Sequence, residues 1–143
     1  MDELDRSILA LLGADARMSV ATLARRLKVA RSTIQSRLER LETTGVIAGY
    51  TLKLGEEARQ GRLRTSVLLT IEPRAQAAIL ARLKSIPEVE RVFTTSGRFD
   101  LLMHIAAPNT QVLDSVLDQI GALAGVKSSE SLIHLSTRID RAV

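Results

Sequence analysis

The sequence predicts an α+β chain in two parts, a small helical unit and a β-α-β-β-α-β unit, and three observations carry the prediction. Up to Gly45 the apolar residues recur every three to four positions, the spacing of helices with one buried face. From Thr65 onward short aliphatic runs alternate with helical stretches in the order strand, helix, strand, strand, helix, strand. Between them lies Gly55–Arg62, GEEARQGR, polar and bounded by glycines, the composition of a linker. These boundaries give a helical domain over residues 1–54, a linker over 55–62 and a second domain over 63–143.

Each helix of the first domain has a local signature. In Asp2–Gly13, Leu4, Ile8, Leu11 and Leu12 form one stripe, and Asp2, Glu3 and Asp5 sit at the N-terminal, positive end of the dipole. Ser19 is a good N-cap for a second helix whose inward residues are Val20, Leu23, Ala24 and Leu27. After a break at Lys28–Arg31, a third helix runs to Thr43 with Ile34, Leu38 and Leu41 inward, and Gly45 ends it. Ala30 stands where a capping Ser, Asp or Asn is expected, which allows the third helix to begin at Ser32 instead. Val46–Leu54, VIAGYTLKL, reads as an extended strand or wing after that helix.

The second domain follows the split pattern. Thr65–Glu72, Val89–Thr95 and Phe99–Ala107 read as strands, Ser96–Arg98 as a tight turn, and Val126–Ile139 as containing the last strand. Pro73 opens a helix through Ser85 with Ala75, Ile79, Leu83 and Ile86 on one face; Asn109 caps a second through Leu123 with Val112, Val116, Leu117, Ile120 and Leu123 inward. The order is that of a ferredoxin-like sandwich, two helices on one face of a four-stranded antiparallel sheet. Consecutive apolar residues at Val67–Leu68–Leu69, Leu101–Leu102–Met103 and Leu132–Ile133 imply that the other face also needs cover. A two-fold homodimer is the expected solution.

Composition removes several function classes. With no cysteine and two histidines in 143 residues, the chain has no disulfide framework or thiolate chemistry and is not expected to hold a metal. His104 and His134 lie in apolar strand settings and read as core or interface histidines, and no P-loop, Rossmann glycine pattern or nucleophile motif appears. No apolar run reaches the ~20 residues a spanning helix requires and no signal-peptide pattern opens the chain, so a cytoplasmic protein without cofactor or membrane partner is expected.

Charge distribution is more informative than the net +4. From Arg17 to Glu42 seven basic residues face only Glu39 and Glu42, leaving the rest near neutral. A basic, compact helical unit attracts polyanions, and a helix with an apolar back and a polar front fits a groove of double-stranded DNA. Opposite Ile34, Leu38 and Leu41 lie Arg31, Ser32, Thr33, Gln35, Ser36 and Arg40, with Arg37 on the flank. Ser32, Gln35 and Ser36 are placed to approach base edges, whereas Arg25, Arg26, Arg31 and Arg40 suit phosphates. For Arg37 and Arg40 a competing role is pairing with Glu39 and Glu42 at helical spacing.

These residues together resemble the Lrp/AsnC, or feast/famine, transcriptional regulators. The likeness rests on Leu4-Asp5-Arg6-Ser7-Ile8-Leu9, on Arg17 and Ser19 with Leu23-Ala24-Arg25-Arg26-Leu27, and on Arg37-Leu38-Glu39-Arg40-Leu41-Glu42 followed by Gly45-Val46-Ile47 and Gly49-Tyr50. It continues in Ser96-Gly97-Arg98-Phe99-Asp100-Leu101-Leu102 and Gly125-Val126, and departs at Ala30, where the family usually has Ser. By periodicity alone Ser96–Asp100 is a hairpin turn with Gly97 at positive φ and Asp100 bonding nearby backbone amides. The resemblance implies more: that Ser96, Gly97, Arg98, Phe99 and Asp100 line a site between dimers for a small effector such as an amino acid, and that dimers assemble further, into octamers. Two alternatives share the architecture, a sirohaem-decarboxylase-like enzyme and an effector-free DNA-binding architectural protein. Soret absorbance separates the first, and ligand screening the second.

Overall fold

The computed structural model describes residues 1–59 and 61–141, so Gln60 of the expected linker and the last two residues of the expected second domain lie outside the described residues. The chain divides into two compact units, one over Met1–Lys53 and one over Leu54–Asp140.

The first unit holds three helices. Helix α1 (Glu3–Ala14) opens with a capping box: Asp2 accepts from the Asp5 amide at 3.0 Å, and Asp5 accepts from the Asp2 amide at 3.2 Å. Helix α2 (Val20–Leu27) is capped by Ser19, whose hydroxyl accepts from the Thr22 amide at 3.0 Å. Its end is set by Lys28, which turns left-handed at φ 56° and donates its amide to Ala24. Helix α3 (Arg31–Thr43) follows α2 after three intervening residues, with Ala30 extended at the cap and making no side-chain bond. The alternative start at Ser32 is not taken, because the Ala30 carbonyl already accepts from the Thr33 and Ile34 amides. Ile8, Leu23, Ala24, Ile34 and Leu41 close the core, and Leu4, Leu11, Leu12, Val20, Leu27 and Leu38 pack around it.

Val46–Leu54 does not form the expected strand. A strand needs a hydrogen-bonding neighbour, and none of the described strands pairs with this stretch. Instead it is tied to α3: the Ile47 amide donates to the Leu41 carbonyl at 2.9 Å, and the Tyr50 hydroxyl donates to Glu42 at 2.8 Å. The segment read as a linker contains a one-turn helix, α4 (Glu56–Arg59).

The second unit is a four-stranded antiparallel sheet in the order β2-β3-β1-β4. Its strands are β1 (Leu63–Ile71), β2 (Val89–Thr94), β3 (Leu101–Ala107) and β4 (Val126–Ile133). Helix α5 (Gln76–Lys84), entered through a 3₁₀ turn at Pro73–Ala75, connects β1 to β2, and α6 (Thr110–Gly121), capped by Asn109, connects β3 to β4. This is the ferredoxin-like arrangement expected from the element order. Val67, Leu69, Ile71, Leu101, Met103 and Ile105 pack against Ile79, Leu83, Leu113, Val116 and Ile120. Leu113 was not among the residues expected to face inward; it follows Val112 on the same buried face.

Gly125, just before β4, has φ +94°, and a Cβ there would stand 2.2 Å from the Ala75 Cβ. The return of the chain onto the sheet therefore depends on this residue having no side chain. The opposite sheet face is mixed rather than apolar throughout. Register places Ser66 beside His104 and Leu132, and Leu68 beside Leu102 and Glu130, while Leu102 also meets Phe93. Phe93 is 42% and Leu132 51% exposed.

Candidate DNA interface and effector turn

Burial of Ile34 and Leu41 fixes which side of α3 is outermost. Arg31, Ser32, Gln35 and Ser36 are exposed on that side and Thr33 is half-buried, while Arg25 and Arg26 are exposed on the last turn of α2. Seven of the nine expected DNA-contact residues are thus exposed or half-buried on α2 and α3, and none of the seven is in an ion pair among the described residues. Lys28, in the turn between the two helices, is exposed as well. It was counted in the basic excess but not among the expected contact residues; its place between two helix ends was the available signal.

Arg37 and Arg40 behave differently. Both reach back to α1 rather than to Glu39 and Glu42. Arg37 Nη1 donates to Asp2 and to Asp5 Oδ1 at 3.2 Å, and Arg40 Nη2 donates to Asp5 Oδ2 at 2.8 Å. Asp5 is only 1% exposed, so its charge must be compensated in place. Burial pushes its pKa up, but the Asp2 amide and the two guanidinium groups outweigh burial and hold it below the usual carboxylate value. The Arg37 hydrogen bond, helped by the Asp5 amide, brings Asp2 down to about 2. Arg37 in turn is raised by bonding to Asp2 and then Asp5. The result is a latch of two acids at the start of α1, the N-cap Asp2 and Asp5, and two arginines on α3, which sets how the outer face of α3 is presented. Sequence spacing does not show it, because the partners lie more than thirty residues apart.

The Ser96–Asp100 turn is pinned at both ends. Strand β2 ends at Thr94 and β3 begins at Leu101, so the connection is longer than the expected hairpin turn. The Thr95 hydroxyl donates to the Phe99 carbonyl at 2.7 Å, and its amide to the Asp100 carbonyl at 3.1 Å. Asp100 Oδ2 accepts from the Ile71 amide at 2.8 Å, fastening the turn to the end of β1. Gly97 stands at φ +109° with open space around it, and the Arg98 guanidinium lies 4.9 Å from the centre of the Phe99 ring. Ser96, Gly97, Arg98 and Asp100 are exposed and Phe99 is half-buried. One Asp100 oxygen thus bonds a backbone amide, as the hairpin reading expects, although the amide belongs to β1 and not to the turn itself.

A helix-turn-helix with a polar, cationic outer face, carried in one chain with a ferredoxin-like α/β sandwich, is the architecture of a DNA-binding protein with a second domain, and the comparisons with known proteins give its class. Residues 1–42 match the AsnC-type helix-turn-helix domain, and residues 65–143 match the Lrp/AsnC ligand binding domain. The HTH-type transcriptional regulator LrpA of Mycobacterium tuberculosis is 31% identical over 142 residues, covering 99% of this chain and 95% of that protein. The solved structure of Escherichia coli AsnC superposes with a TM-score of 0.89 at 26% identity, covering 100% of this chain and 97% of that one. A transcriptional regulator from Neisseria meningitidis, solved as a complex with L-Met, superposes with a TM-score of 0.85 at 25% identity, covering 95% and 90%. The chain belongs to the Lrp/AsnC family of transcriptional regulators. Among its described residues no helix is long and apolar enough to cross a membrane.

Proposed function

We propose that this regulator reads double-stranded DNA in the cytoplasm as a homodimer and is controlled by a small amino acid or related metabolite, not by a reaction it catalyses. Within this reading residues 1–54 are the DNA-reading domain, 55–62 the linker and 63–143 the sensing domain. The observation that carries the DNA-reading part is the outer face of α3, where Arg31, Ser32, Gln35 and Ser36 project while Ile34 and Leu41 anchor the back. Gln35 suits adenine and Ser32 and Ser36 suit base or phosphate, with Thr33 beside them. Arg25, Arg26, Arg31 and Lys28 neutralise phosphates. Arg40, more than half exposed beyond its Asp5 bond, adds a phosphate contact, and Arg37 acts by holding α3 against α1.

Dimerisation is supported by the exposed apolar side chains of the open sheet face, Phe93 and Leu132 with Leu68 and Leu102 between them. A dimer pairs two readers on half-sites one helical turn, or a multiple of it, apart; sedimentation reads the assembly, including further association to an octamer. The effector reading is supported by the relative crystallised with L-Met and by the surface offered at Gly97, Arg98 and Asp100: a bare amide and a cation for a carboxylate, and an acceptor for an ammonium.

The decisive test of DNA reading is Gln35→Ala. It is expected to cost about 1–3 kcal/mol on the preferred sequence and little on random DNA. Equal losses on both exclude base reading by Gln35. For the effector, Asp100→Asn keeps an acceptor for the Ile71 amide while removing the charge. If no amino acid shifts Tm or operator affinity, and Asp100→Asn regulates like the wild type, the sensing role of this turn is lost.

A further inference from the structure

The connection between α2 and α3 has three residues, Lys28, Val29 and Ala30, and the whole change of direction falls within them. The chain leaves α2 through Lys28 at φ 56° and ψ 45°, the centre of the left-handed region, and the Lys28 and Val29 amides both donate to the Ala24 carbonyl. Val29 then packs against the helical core and Ala30 takes the extended cap position of α3. Among the described residues positive φ is otherwise confined to glycines, at Gly45, Gly61, Gly97 and Gly125. A Cβ in this region crowds the following carbonyl oxygen, which glycine avoids and asparagine tolerates. Lysine is therefore not the residue this backbone favours. No ion pair compensates, since Lys28 is exposed and joins no acid among the described residues. A cation also suits the negative end of a helix, but Arg25 and Arg26 already occupy the last turn of α2. With Arg31 at the start of α3, all of Lys28's charged neighbours along the connection are exposed cations.

We infer that position 28 sets DNA affinity against fold stability: the lysine strains the turn of the free protein, and the ammonium that the fold leaves unpaired is matched by a DNA phosphate. The inference rests on DNA reading by α2 and α3 as proposed above, and deepens it by separating Lys28 from the other cations there. Arg25, Arg26 and Arg31 sit on helical backbone that accepts them, so their removal does not relieve the fold. Removal of Lys28 does. A phosphate contact carries no base information, so Lys28 acts alike on any duplex, whereas Gln35 acts on a preferred sequence.

The test compares Lys28→Gly, Lys28→Arg and Arg31→Ala in the full chain, reading thermal unfolding by calorimetry and binding to a random-sequence DNA duplex across a salt series. Lys28→Gly should raise the melting temperature of the helical unit by roughly 4 °C, because glycine relieves the turn. The same variant should weaken duplex binding about fivefold near physiological salt, and should lower the slope of log affinity against log salt by about 0.9 per bound chain. Lys28→Arg keeps both the cation and the strain and should match the wild type in both readings. Arg31→Ala should weaken binding without raising the melting temperature. An unchanged or lowered melting temperature for Lys28→Gly gives the lysine a structural role and overturns the inference. So does unchanged affinity and slope for Lys28→Gly where Arg31→Ala weakens binding, an outcome that leaves the DNA reading intact. If neither variant weakens binding, DNA reading by this surface falls and the inference falls with it.

Discussion

In the helical unit five apolar side chains make the closed core, and α3 is additionally held by Asp2 and Asp5 through Arg37 and Arg40. In the sheet unit thirteen apolar side chains make the core, and the ion pairs described there, such as Arg64–Glu90 and Lys127–Glu72, lie at its surface. The first unit is small for its task and uses a buried carboxylate to fix the helix that reads DNA. The second depends on shape, including the close approach of Gly125 to Ala75 in the turn that leads into α5. Acid therefore acts first on the unit that reads DNA, and changes of volume act most on the unit proposed to sense the effector.

The largest expected effect breaks the electrostatic half of this contrast. Asp5→Ala removes the partner of both arginines and should lower the melting temperature of the helical unit by on the order of 15 °C, with the sheet unit's transition unmoved. Calorimetry of the full chain resolves the two. Gly125→Ala tests the steric half: a Cβ 2.2 Å from Ala75, at φ +94°, should cost about 2 kcal/mol, read as a lowered denaturation midpoint for the sheet unit alone.

A smaller effect separates the units by pH. Asp2 falls in the fold from the ordinary 3.8 to about 2, and Asp5 also lies below its ordinary value. A depressed carboxylate stabilises the fold above its unfolded pKa, so this contribution is complete above about pH 4 and is lost as the pH falls toward 2. Circular dichroism of the helical bands should show that loss, and Asp2→Asn should flatten it. The smallest effect is a gain. Ala30→Ser supplies the missing cap of α3 and should stabilise the helical unit by about 1 kcal/mol, measured as a raised melting temperature.

Much of the fold was legible because its signals are local. Stripes at Ile8, Leu23, Ile34 and Leu41, the caps at Ser19 and Asn109, and the strand-helix alternation after Thr65 each depend on near neighbours, and the structure forms the corresponding elements. Val46–Leu54 was misread because β-branched composition does not supply a pairing partner. The outward residues of α3 were also legible, since the buried face of a helix determines the opposite one. The split roles of Arg37 and Arg40 were not, because an ion pair between α1 and α3 depends on how the helices cross.

By itself, the sequence determined the element order, the faces of the helices, the basic excess between Arg17 and Glu42 and the family resemblance, all carried by spacing and composition along the chain. Only the tertiary structure decided that Asp5 is buried between two arginines and that Asp100 fastens the turn to β1. The physical reason is the same in both cases. Charge compensation and side-chain fastening are properties of groups brought together across long loops, and their energies depend on burial and distances of a few ångströms that spacing along the chain does not encode.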